Sequence, residues 1–148
     1  MTTPAKFDEY IRYCRNHPNI RGRSTIVTLV AIGAAESGLD NMAIGRNDLN
    51  GTPPTSEFHH SLGLGWLQHD SGWLYKDTIV NNVQWTIEEI RRDPVFSLDL
   101  LIVRPGFVLF QGVNVTYIDF KKWAVYPTKS DQFMDDAEAA YDRWVALG

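Results

Sequence analysis

The residue of greatest chemical interest is Glu36. It follows Ile26 to Ala35, a run in which Thr28 is the one polar side chain. A carboxyl at the last turn of so apolar a helix has two readings. It can point out into solvent, as charged residues at helix ends usually do. Or it can lie against an apolar wall at the negative end of the helix dipole, where desolvation and the dipole both favour the protonated form. A glutamic acid kept protonated near neutral pH can give its proton to a leaving oxygen, as cleavage of a glycosidic bond requires. A second carboxylate would then serve as nucleophile or base, with separations of ~5–5.5 Å for retention and ~6.5–9.5 Å for inversion. Asp40, Asp48, Glu57 and Asp70 are the candidates. No motif places any of them, and loop acids more often form turns. Asp70, close in sequence to Gln68, is the best placed.

Two other constellations are weaker. His59, His60 and His69 with Asp70 supply ligand types that zinc accepts, but their spacing matches no zinc signature, so no metal and no cofactor are expected. Cys14 and His17 share a helix end without an orienting partner, and a buried cysteine is the ordinary outcome.

These residues must be positioned by helices. Residues about 4–17 read as a first helix, with Phe7, Tyr10, Ile11 and Cys14 on one face, ended by His17-Pro18. Ser24 is suited to cap a second helix running to about Ser37, apolar nearly all round and therefore central. Gly38 is placed to terminate it. Residues about 39–65 are rich in Asn, Asp, Gly and Pro and read as a long loop. Helices are expected at about 77–92 and 94–103, with Asp93-Pro94 between them. Leu101–Phe110 by itself also reads as a hairpin around Arg104-Pro105-Gly106. A short helix over about 115–124 and a last one from a Ser130 cap to about Leu147 complete the chain. The last helix has Phe133, Ala137, Ala140, Trp144 and Leu147 as its inner stripe. No repeat or linker divides the chain, so residues 1–148 form one domain.

Ala34-Ala35-Glu36-Ser37-Gly38 resembles the A-x-E-S-G signature of the lysozyme-like superfamily, in particular soluble lytic transglycosylases and related phage enzymes. About 25 residues on, Ser61-Leu62-Gly63-Leu64-Gly65-Trp66-Leu67-Gln68-His69-Asp70-Ser71-Gly72-Trp73 is similar to the family's S-x-G-L-x-Q motif and its G-W extension in actinobacteria and their phages. Gly65-Trp66 looks like an added residue between the Gly-Leu pair and Gln68. Asn41-Met42-Ala43-Ile44-Gly45 looks like the family's stretch that follows the glutamate, with Ala43 as a packing residue. The order Asp93-Pro94, apolar segment, Pro105-Gly106-Phe107, Trp123 to Pro127 also matches, and it favours helix over hairpin before Pro105. The resemblance covers roughly residues 20–147. It implies a mainly α, lysozyme-like helical domain with a long groove-lining loop and little or no β structure.

It also implies Glu36 as the catalytic acid/base. Ser37, Ser61, Gly63, Leu64, Trp66, Gln68, Asp70, Trp73 and Tyr126 would be the substrate-binding positions, with a place in the core an equal reading for Tyr126. In such relatives one glutamate suffices, the substrate's own 6-hydroxyl closing a 1,6-anhydro ring; that route is slightly favoured over hydrolysis.

Composition sets the outer limits. Apolar residues make up 44% and charged residues 22%, as in a globular domain that can bury a core. The net charge of −4 disfavours nucleic acid as a partner. One cysteine excludes an intrachain disulfide, and no apolar run reaches the ~20 residues of a membrane helix. The opening residues have no signal-peptide core. The expected partner is the glycan strand of peptidoglycan, reached from a phage tail or from host cytoplasm through lysis, with other tail or lysin subunits as further partners. The alternative is a structural tail component that keeps the fold and has little or no activity.

Overall fold

A computed structural model describes residues 3–46, 62–70, 87–103 and 130–147. Among these the chain is mainly helical. The elements are α1 (Pro4–Asn16), α2 (Arg23–Ser37), β1 (Ile44–Arg46), β2 (Leu62–Leu64), β3 (His69–Asp70), α3 (Ile87–Arg92), α4 (Pro94–Val103) and α5 (Ser130–Ala146). The expected helix at 115–124 and the first part of that at 77–92 lie outside the described residues.

Helix α1 begins where Thr3 accepts a bond from Lys6 N–H and Pro4 occupies the first turn. It ends at His17, held extended (φ −76°, ψ 128°) ahead of Pro18. Phe7, Tyr10, Ile11 and Cys14 are its buried face, as their spacing predicts. Helix α2 is buried all round from Thr25 to Ala34. Ser24 is not its cap. Gly22, at φ 91°, turns the chain so that its own carbonyl takes the first helical bond from Ile26 N–H, and Ser24 falls inside the first turn. At the other end Gly38 (φ 69°) and Leu39 (φ 57°) are both left-handed. Their N–H groups bond the carbonyls of Ala34 and Gly33, and Leu39 turns back into the core.

The expected 39–65 loop is paired at both ends. β1 runs antiparallel to β2, Ile44 opposite Leu64 and Arg46 opposite Leu62. β2 then pairs with β3, Gly63 opposite Asp70 and Leu64 opposite His69. Backbone groups drawn toward the body of the protein need partners, and sheet pairing supplies them where side-chain composition suggests only a loop. The connection between β2 and β3 is a tight turn with left-handed residues at both ends, Gly65 (φ 76°) and Gln68 (φ 54°).

Helix α4 runs to Val103, so helix and not hairpin is formed up to that residue. The core joins α1, α2 and α5 with Leu39, Trp66, Leu67 and Leu98. On α5 the buried positions are Met134, Ala137 and Ala140, with Phe133, Tyr141 and Trp144 packed at the margin. Leu147, expected on the inner stripe, lies past the helix end and is 90% exposed. Arg143 with Asp8 and Arg23 with Asp142 pair across the surface between α5 and the two helices beside it. Among the described residues no helix is long and apolar enough to cross a membrane.

Candidate functional site

Glu36 stands in the last turn of α2, half-buried, where the helix leaves the core. The next residue ties that helix end to the hairpin. Ser37 Oγ lies 2.8 Å from the Trp66 carbonyl and 3.1 Å from the Gly33 carbonyl, and it accepts a bond from Asp40 N–H at 3.1 Å. A hydroxyl has one proton to give, and both acceptors here belong to the backbone. Ser37 is thus a strut between α2 and the 65–68 turn.

Trp66 departs from its expected place among the substrate contacts. Its side chain is completely buried (0% exposed), its ring 4.9 Å from that of Tyr10, and its Nε1–H donates to the Pro94 carbonyl at 3.0 Å. It fills the space above Gly33 and cannot present a face to a sugar. The indole's large apolar area outweighs a place in a groove wall, and its one polar atom is satisfied inside.

Gln68 is half-buried at the end of the same turn. Its Nε2 donates to the Gly65 carbonyl at 2.8 Å, and its backbone N–H bonds that carbonyl at 3.2 Å. The side chain therefore knots the turn that carries it. Gly65 is the glycine this turn requires: a Cβ there would meet Ser97 Oγ at 2.9 Å and Asn41 Oδ1 at 3.0 Å. Gly63 and Leu64 lie in β2, with Asp70 opposite Gly63 in β3. Ser61, Trp73 and Tyr126 lie outside the described residues, as do Asp48, Glu57, His59 and His60.

Asp40 is exposed, and its Oδ1 accepts the N–H of Met42 at 2.9 Å, a turn-forming role. Cys14 is buried and burial pushes its thiol up, away from the thiolate a nucleophile needs. His17 is a satisfied buried histidine: Nδ1 accepts from Asn19 N–H at 3.1 Å, and Nε2 faces Asp99 Oδ1 at 2.6 Å. Nδ1 thereby takes the acceptor role, which leaves the proton on Nε2 for Asp99. No group of acids, histidines and cysteines among the described residues could hold a metal ion.

Sequence reasoning gave Asn41 and Tyr10 no part in the site, naming the first only within the stretch after the glutamate and the second only on the apolar face of α1. Asn41 is buried behind the left-handed exit from α2, and its backbone N–H donates to the Tyr10 hydroxyl at 3.0 Å. Burial pushes that phenol up to about 12, while the bond from Asn41 N–H acts in the opposite direction. A tyrosine on an apolar helix face gives no hint of a distant backbone partner. Asn41, three positions past the helix-ending Gly38, was the available signal.

The described residues also bound a groove of about 340 Å³ between α1 and α5, lined by Asp8, Glu9, Arg12, Arg143 and Trp144 among others; Glu36 is not part of it. The chain matches no protein-family model, no curated protein and no solved structure.

Proposed function

We propose that the domain is lysozyme-like and cleaves the β-1,4 bond between N-acetylmuramic acid and N-acetylglucosamine in bacterial peptidoglycan, as a phage lysin or tail-associated module. The observation that carries this reading is the position of Glu36. A half-buried carboxyl stands in the last turn of a helix that is buried from Thr25 to Ala34, and its neighbour Ser37 is bonded to the turn that bears Gln68. A carboxyl on a fixed helix end, at the border of an apolar interior, suits an acid that must protonate a glycosidic oxygen and then act as a base.

In the first step the Glu36 proton passes to the bridging oxygen as the bond from that oxygen to C1 breaks. In the second, the 6-hydroxyl of the same sugar bonds to C1 and its proton returns to Glu36, closing a 1,6-anhydro ring. This single-carboxylate route fits Asp40, whose oxygen is committed to its own turn. A hydrolytic route would use Asp70 on β3 as the second carboxylate.

Mass spectrometry of soluble fragments from purified peptidoglycan tests both routes. Wild type is expected to release fragments with anhydro-muramyl ends, and Glu36→Gln to release none. Reducing ends would replace the transglycosylase with a hydrolase. A wild type that releases nothing from any wall type would defeat the enzyme reading and leave a structural tail component.

A further inference from the structure

The chain that leaves Glu36 is held from several sides at once. Arg91 Nε donates to the Met42 carbonyl at 2.8 Å, and Gly65 N–H donates to the Ala43 carbonyl at 3.1 Å. The Tyr10 hydroxyl takes the N–H of Asn41. At the centre lies the Asn41 side chain. Its Nδ2 donates to the carbonyls of Ile90 and Arg91, both at 2.8 Å. Its Oδ1 accepts from Trp66 N–H at 3.2 Å and faces Ser97 Oγ at 3.3 Å.

A carboxamide has two donor protons and two acceptor lone pairs, and here every one has a partner. The orientation is fixed by these partners: turned over, the amide would set its NH2 against the Trp66 N–H and its oxygen against two carbonyls. A buried network this complete specifies one arrangement, because any slip leaves a desolvated group unpaired. The missing Cβ of Gly65 is what lets the turn approach so closely.

We propose that Asn41 is a positioning residue: its carboxamide locks the Glu36 end of α2 to the Gly65–Gln68 turn and to the α3–α4 corner, and so fixes Glu36 relative to Gln68. The role assigned to Glu36 rests on the glycan-cleaving reading above; the geometric lock does not.

Asn41→Asp is the test, because it keeps the shape and both acceptors but puts an oxygen where the two donated bonds were. With soluble uncrosslinked glycan strands, at a temperature where the variant is folded, kcat is expected to fall about tenfold or more while KM stays within about twofold. A folded Asn41→Asp with wild-type kcat, or one that loses only KM, overturns the proposal. If that variant does not fold, Ser97→Ala takes its place, with kcat expected about threefold lower at constant KM and an unchanged kcat overturning the proposal.

A wild type without cleavage, or a Glu36→Gln that cleaves normally, defeats the functional reading alone. The lock is then read from amide resonances. In the same variant those of Gly38 and Gln68 should shift together while that of Ala140 stays in place, and shifts confined to Trp66, Ile90 and Arg91 would overturn it.

Discussion

Tyr10 shows how one side chain serves both core and site. Its ring packs between Tyr13 and Trp66, and its hydroxyl meets the backbone of the residue chain that leaves Glu36. The buried phenol titrates near 12 when folded and near 10 when unfolded. The unfolded chain therefore releases this proton first as pH rises. The stability that depends on the neutral phenol is full below pH 10 and is lost between 10 and about 12. Alkaline titration followed at the tyrosinate absorbance should show Tyr10 silent until the protein unfolds; a Tyr10 signal ionising near 10 in the folded state would contradict its burial. Trp66 teaches the same point from the other side. A tryptophan in a glycan-type motif reads as a sugar platform, yet its apolar area is used in packing.

The behaviour of α2 as an element turns on Gly33. In a solvated helix alanine would be the better residue by about 1 kcal/mol. Here a Cβ would lie 2.3 Å and 2.7 Å from ring carbons of Trp66 and 3.0 Å from Leu39 Cδ2. The ring is fully buried and anchored through Nε1 to Pro94, so it has nowhere to retreat. Overpacking wins over propensity: Gly33→Ala should lower unfolding free energy by about 1–3 kcal/mol, measured by urea titration. A stabilised variant would mean that Trp66 does not sit over α2. The start of the same helix was misread from sequence because a serine is an obvious cap, whereas a glycine at φ 91° takes the first bond with its backbone alone. The short strands were hidden for a related reason. The pairing of β1 with β2 is a backbone matter between segments separated by a long stretch of chain, and neither end of the loop alternates as strands usually do.

In the molecule as a whole, α5 closes the core over α1 and α2. Ala137 and Ala140 are fully buried there and keep the helices close. Ala137→Leu should destabilise by about 1–3 kcal/mol, read by the same titration, because the extra methylenes meet close-packed neighbours. An unchanged midpoint would show slack in that interface. The surface pairs contribute little beside this packing. Arg143 with Asp8 and Arg23 with Asp142 are all about half exposed, and solvent and salt screen them.

The sequence by itself determined the helices whose faces or breaks are written locally. These are α1 with its four-residue buried stripe and proline stop, α2 as the central apolar helix closed by Gly38, α4 after Asp93-Pro94, and most of α5. It also singled out Glu36, because a carboxyl closing an apolar run is visible without any partner. Tertiary structure alone decided which residues hold the Glu36 end of α2. Ser37 comes from the first motif and Trp66 and Gln68 from the second, yet their atoms are spent on Trp66, Pro94 and Gly65. Asn41 became the hub because four polar groups from three stretches of chain converge on its side chain. Local periodicity records what a residue offers its own helix or strand, while a buried hydrogen-bond network depends on partners that only the packed chain brings within reach.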